Sequence, residues 1–301
     1  MTNTSRRGFL QQAAALSAAA VAAGTLSRFP ALAADQAGPQ ISLGLVTYQW
    51  GNDWDLPTLI ANCTTSKVLG VELRTTHAHK VEPTLNDAER AEVKQRFADS
   101  PVTLVGLGSA EDFHRPDPAA LKKSIENTKA FIRLSHDVGG SGVKVRPNDL
   151  PKGVPQEQTI EQIGRALNVV GAYGADYGQQ IRLEVHGGGG CAKLPIIKQI
   201  MDVATHPNVA VCWNSNGDDL EQPGLEHNFN LVQARLGATT HVKPVNTRGY
   251  PFLELMKLCL KVNYRGWWLL EAGDRPEDRV KALAEQRVLF DELLAKAKSE
   301  L

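Results

Sequence analysis

Glu184, Asn214, His241 and Glu271 stand at the ends of short apolar runs, and they follow one another at gaps of 30, 27 and 30 residues. Two carboxylates, an imidazole and an amide oxygen form a ligand set for a divalent cation, provided that they meet at one point. A gap near 30 is the length of one strand–helix unit. A parallel barrel built from such units brings successive strand ends onto one ring. The expectation is a divalent-metal site at the mouth of a barrel.

The elements needed to carry these residues are legible along the chain. Eight β-rich runs are predicted near 41–48, 70–74, 102–107, 142–146, 181–186, 209–214, 239–244 and 266–271. Helical patterns lie between and after them, near 56–68, 86–98, 118–137, 157–177, 194–205, 228–236, 251–262 and 276–299. Asp55 is a plausible N-cap for the first of these, with Pro57 early in its first turn. Acids at Glu277 and Asp278 fall where the dipole of the last helix favours them. Strict alternation implies parallel strands joined by right-handed crossovers. No glycine-rich nucleotide turn follows the first strand, which favours a closed eightfold (β/α)8 TIM barrel over a doubly wound sheet. Neither a second domain nor a long low-complexity linker is evident.

Side-chain parity then separates the two faces of each strand. On the fifth strand Leu183 and Val185 form one face, and Arg182, Glu184 and His186 the other. The apolar face must meet the helices, so the polar one points inward. By the same rule Glu72, Arg74, Lys144, Arg146, His241, Lys243 and Glu271 face the interior. Burying such charges unpaired costs several kcal/mol each, so they must meet one another, a metal or a ligand. For Glu72, Arg74 and Arg182 a web of salt bridges inside the barrel is an equal expectation.

The ends of the chain read differently. Ser5-Arg6-Arg7-Gly8-Phe9-Leu10 precedes an Ala-rich stretch and Ala31-Leu32-Ala33, the pattern of a twin-arginine signal peptide over 1–33. The expected mature domain is 34–301, periplasmic or secreted, with no stable membrane anchor. The whole chain carries 33 basic and 33 acidic residues. The leader holds three of the arginines and no acid, so the mature domain is slightly acidic and offers no nucleic-acid face. The four cysteines show neither CxxC spacing nor a metal-like pairing and are expected to be free, mostly buried thiols. Homo-oligomerisation is left open.

With these elements in place, the motifs Leu183-Glu184-Val185-His186-Gly187, Cys212-Trp213-Asn214-Ser215-Asn216, His241-Val242-Lys243 and Leu270-Glu271-Ala272 resemble those of the xylose isomerase-like barrels. That superfamily includes sugar isomerases, sugar epimerases and family 2 AP endonucleases. The resemblance implies that Glu184, Asn214, His241 and Glu271 hold a divalent metal such as Mn, Mg, Co or Zn. Asn214 stands where relatives commonly have Asp, and Gly217 where a His often follows, so the site differs from the common pattern.

The resemblance further implies removal of a proton next to a carbonyl, through an enediolate. Glu184 and Glu271 would exchange the proton, His186 would donate or relay it, and Lys243 would stabilise the oxyanion. Arg146, Asn148, Trp213 and Arg248 are the candidate substrate-binding residues. The expected ligand is a saccharide or polyol without phosphate, because no glycine-rich phosphate cradle follows the last two strands. Two alternatives stay open. The same enediolate could cleave a keto-glycoside as a lyase does, or the chain could be a sugar-binding protein without catalysis.

Overall fold

Inward-facing residues on neighbouring strands must share one narrow interior, and the barrel solves this with size alternation. In a computed structural model of the chain, which describes Gly38 and residues 40–301, the ring of Trp267 lies so close to Gly70 that a Cβ there would sit 2.2 Å from it. Gly108 makes room in the same way for Glu72, whose Oε1 would be 2.8 Å from an added Cβ. The floor of the barrel is therefore packed with large side chains seated over residues that have none.

Eight parallel strands build this interior: β1 (Gln40–Val46), β2 (Gly70–Arg74), β3 (Thr103–Asp112), β4 (Gly142–Arg146), β5 (Gln180–Glu184), β6 (Val209–Cys212), β7 (Thr239–Val242) and β8 (Arg265–Leu270). Eight helices follow them in turn: α1 (Leu56–Ser66), α2 (Asp87–Ala98), α3 (Pro118–Asp137), α4 (Gln156–Asp176), α5 (Leu194–Val203), α6 (Leu225–Val232), α7 (Phe252–Lys261) and α8 (Arg279–Ser299). The strand order runs β6-β5-β4-β3-β2-β1-β8-β7, the sequential order of an eightfold barrel. Between β6 and β7 the ladder thins to two isolated bridges, Val211 with Leu236 and Asn214 with His241. The result is the (β/α)8 TIM barrel that alternation implied, nearly closed.

Side-chain caps explain half of the helix starts. The Asp55 side chain accepts from the Thr58 N–H and caps α1. Asn86 and Glu89 form a reciprocal capping box at α2, and Asp117 caps α3 ahead of Pro118. The last helix begins three residues later than its acids suggest. Asp278 is its cap, accepting from the Lys281 N–H, so Glu277 precedes the helix and does not sit in its first turn.

Strand faces follow the parity rule. Val71, Leu73, Val143, Val145, Leu183 and Val185 are all buried toward the helices. Two strands end two residues earlier than expected, β6 at Cys212 and β7 at Val242. Asn214 and Lys243 therefore lie just past strand ends, at the C-terminal rim, beside Glu184 (last in β5) and Glu271 (first after β8). The third strand is longer than expected, because register shifts against both neighbours let it run on to Asp112. All four cysteines are buried and free. The expected leader over 1–33 lies outside the described residues.

Candidate active site

The C-terminal ends of β5 and β7 and the residues just past β6 and β8 deliver the four spaced residues to one cluster. Glu184, His241 and Glu271 each present a ligand atom, and the three atoms lie within 4.8 Å of one another. Two carboxylates and an imidazole at that spacing suit a divalent cation, and by the chemistry of the donor set these residues fit one.

Asn214 joins the cluster in an unexpected sense. Its Nδ2 donates to Glu184 Oε1 at 2.9 Å and to Glu271 Oε2 at 3.0 Å. The opposite orientation would press an amide oxygen against two carboxylate oxygens with no proton between them. Only a cation in their midst would make that arrangement favourable. An asparagine can thus serve in both settings, nitrogen inward as a donor or oxygen inward as a ligand, whereas an aspartate could serve only the second. Asn214→Asp is accordingly expected to tighten divalent-ion binding by about tenfold or more, as titration calorimetry would show. The chelator-treated variant should melt lower by roughly 5 °C, at about 2–4 °C per kcal/mol for a domain of this size.

Two residues beyond the spaced four complete the network. Lys144 Nζ donates to Glu184 Oε2 at 2.7 Å, both side chains being buried. Glu72 Oε1 lies 3.1 Å from His241 Nε2, while His241 Nδ1 lies 3.1 Å from Glu184 Oε1. Burial alone would raise the Glu184 carboxyl, but Lys144 and His241 outweigh it and hold it well below the usual range. Burial pushes Lys144 down, yet Glu184, Glu72 and Glu271 reverse this and leave it above its usual value. Burial and the neighbouring Glu184 both press Glu271 upward, and His241 and Lys144 bring it below its usual value. His186 is drawn down, first by burial and then by the nearby Lys144 and Arg146, so its imidazole is neutral at ordinary pH.

Above the cluster opens a cavity of about 240 Å³. Glu184, Glu271, His186, Asn214, Lys144 and Lys243 line it on the chemical side. Tyr48, Arg74, Arg146, Asn216 and Gly273 complete the wall. Of the residues expected to bind substrate, Arg146 lines this cavity and the other three do not. Trp213 is a correction: it is fully buried among the helices, where its Nε1 donates to the Tyr250 hydroxyl at 3.2 Å and its ring packs near Phe229. It is out of phase with Asn214, so the parity rule itself places it on the outer face. Asn148 donates instead to Asp112 Oδ2, and Arg248 is exposed away from the cavity wall.

Arg182, for which a salt bridge was an equal expectation, forms none within the described residues. Its guanidinium donates to the Val105 carbonyl, the Ser141 hydroxyl and Gln180 Oε1 in the floor of the barrel. Parity places Lys144 inside the barrel without marking its contact with Glu184, and no sequence signal singles out Asn216. Asn216 shares the parity of Asn214, and its Nδ2 donates to the Val185 carbonyl.

One buried acid beside the site gives the fold a pH dependence. Asp219 lies in the short 3-10 turn Gly217–Leu220, where its Oδ2 accepts from the Tyr250 hydroxyl at 2.6 Å and the Asn216 N–H at 2.9 Å. Burial pushes its carboxyl up to about 7. In an unfolded chain the group ionises near 4, so its stabilising effect is complete below about pH 4 and is lost as pH rises to about 7. Asp219→Asn keeps an acceptor for Tyr250 and removes the ionisation. The variant should match the native chain below about pH 4 and exceed it by about 2–4 kcal/mol above pH 7, as urea denaturation across pH would record.

Comparison with known proteins agrees with this architecture. A family model described as xylose isomerase-like TIM barrel matches residues 60–292. No curated protein matches the chain in sequence. Among solved structures, 3-keto-D-glucoside 4-epimerase from E. coli superposes with a TM-score of 0.71 at 13% identity, covering 84% of this chain and 100% of that one. An L-ribulose 3-epimerase gives a TM-score of 0.72 at 13% identity, over 87% of this chain and 97% of that one. D-Psicose 3-epimerase from Clostridium cellulolyticum H10, solved with D-tagatose, gives 0.68 at 15% identity, over 85% and 99%. At such identities the likeness is one of fold.

Proposed function

The chain belongs to the xylose isomerase-like TIM barrel family, and from that premise we propose that it is a sugar isomerase or epimerase that removes a proton from the carbon next to a carbonyl. The observation that carries this reading is the pair of glutamates in one small cavity with unlike surroundings. Glu184 accepts from Lys144, Asn214 and His241 together, which holds it as a carboxylate of low basicity. Glu271 accepts from Asn214 and keeps about a fifth of its side chain exposed, facing the cavity. Glu271 is thus the general base and Glu184 a fixed negative charge.

Glu184, His241 and Glu271, with the Asn214 amide oxygen turned inward, would hold a divalent ion of the Mn, Mg, Co or Zn kind. When bound, such an ion supplies positive charge beside the carbonyl oxygen. The remaining work falls to side chains. Glu271 takes the proton and returns it to the neighbouring carbon, which completes an isomerisation; an epimerisation would need a proton delivered to the opposite face of the same carbon. His186, neutral and with Nδ1 buried without a hydrogen-bond partner, is suited to pass a proton to and from a hydroxyl. Lys243, exposed at the rim, adds positive charge over the reacting oxygens.

A cavity of about 240 Å³ suits one sugar ring better than a disaccharide. This supports isomerisation over cleavage of a keto-glycoside, although the same proton removal serves both. The structural neighbours named above, epimerases of keto sugars, support a keto sugar as the substrate class. We also assign 1–33 to a twin-arginine leader on its motif alone, which the N-terminus of the protein isolated from its cell would test.

The deciding experiment is metal analysis of the purified protein, followed by incubation with free ketoses, aldoses and keto-glycosides in D₂O. Deuterium should enter at the carbon next to the carbonyl of a free sugar. Absence of both metal and exchange across the panel would sink the enzymatic reading, and ligand binding without exchange would favour a sugar-binding protein.

A further inference from the structure

Charge at the mouth of the barrel is unbalanced. Four side chains that carry positive charge, Arg74, Lys144, Arg146 and Lys243, line the cavity against the carboxylates of Glu184 and Glu271. Lys144 is paired with Glu184, and Lys243 can be credited to Glu271 as a neighbour across the cavity. Both arginines are then left over, and a divalent ion in the cluster would widen the excess.

Neither guanidinium is neutralised elsewhere. Arg74 lies over the ring of Tyr48, 5.0 Å from its centroid, and forms no ion pair among the described residues. Arg146 donates one Nη2 hydrogen bond to the Ala110 carbonyl at 2.9 Å, and its Nε is buried with no partner. Both are half-buried, so water screens them only partly. A guanidinium cannot shed its charge, and its planar fork matches a carboxylate or a phosphate better than it matches a hydroxyl. A neutral sugar would accept hydrogen bonds from these groups and still leave their charge unanswered in a confined cavity. Arg74 closes β2 and Arg146 closes β4, so they flank β3 at the mouth, with Arg146 across the ring from Glu271, just past β8, and Arg74 two strands from it.

We infer that the ligand is a sugar bearing an anionic group, a carboxylate or a phosphate ester, held by Arg74 and Arg146 while the opposite end of the ring faces Glu271. This inference rests on the reading of the cavity as a sugar site. It departs from the expectation that an absent glycine-rich cradle implies a ligand without phosphate, because two guanidinium forks can replace a backbone cradle.

The test is titration calorimetry on the full, Mn-loaded chain with D-glucuronate, D-glucose 6-phosphate and D-glucose, at low and at moderate salt. At least one anionic sugar should bind ten times or more as tightly as glucose, with an advantage that shrinks as salt rises. The identity of that sugar separates carboxylate from phosphate. In Arg74→Gln/Arg146→Gln the anionic sugar should lose more affinity than glucose does, so that the advantage falls to within about twofold. Arg146→Lys, which keeps the charge and loses the fork, should fall between. Equal binding of neutral and anionic sugars, no binding of either anionic sugar, or an advantage that survives the double variant would overturn the inference. Failure of the underlying reading is seen separately, as absence of deuterium uptake by any sugar. If neutral sugars exchange deuterium as readily as anionic ones, the enzymatic reading stands and the anionic group is refuted.

Discussion

Glu184→Leu is expected to destabilise the barrel by about 3–5 kcal/mol, because it leaves the ammonium of Lys144 buried without its counter-charge. For a domain of this size that is a fall in Tm of about 10 °C or more. The pair is nearly fully buried, with side-chain exposures of 4% for Lys144 and 1% for Glu184, so bulk water screens the stranded charge little. The same change removes an acceptor used by Asn214 and His241. Lys144→Met in the Glu184→Leu background should recover part of the loss, since a well-packed apolar pair of similar volume often equals a buried ion pair. Urea denaturation of both single variants and the double variant gives the coupling directly. A loss below about 1 kcal/mol for Glu184→Leu would mean that Lys144 finds another partner and that the pair is not the anchor described above.

The second large effect concerns rate. Glu271→Gln keeps the shape of the side chain and an oxygen that can accept from Asn214, but it removes the base. Turnover should fall by about 10²–10⁴-fold, the usual contribution of a positioned general base. Deuterium uptake by the sugar should fall in parallel, while ligand affinity measured at saturating divalent ion changes little. Retained turnover would dismiss Glu271 as the base. Parallel loss of binding and turnover would give it a role in holding the ligand.

Much of this was readable in the chain because a barrel strand obeys a period of two. Leu183 and Val185 facing the helices put Glu184 and His186 inside, and the same parity sent Trp213 outward, against its assignment to the substrate. Parity says which face a residue occupies but not how far its side chain climbs. Lys144 pairs in register with Arg182, yet its long stem carries the ammonium up to Glu184, two residues further along β5. That contact depends on strand stagger and side-chain reach, neither of which leaves a mark in the order of residues. The direction of the Asn214 amide is likewise set by its neighbours' protons. Strand ends came out two residues too long at β6 and β7, because continuous pairing stops at Cys212 and Val242.

The gap in the ladder between β6 and β7 bears on how the barrel breathes. One of its two bridges joins Asn214 to His241, with the His241 N–H donating to the Trp213 carbonyl at 2.7 Å and the Ser215 N–H to the His241 carbonyl at 3.1 Å. Local opening begins where the fewest backbone bonds must break, so amide hydrogens along this line should be among the first in the barrel to trade with solvent. Two of the spaced residues sit on opposite sides of that line. Whatever they grip in common acts as a clasp across it, and an occupied site closes the cylinder at the one place where its own backbone leaves it loosely sewn.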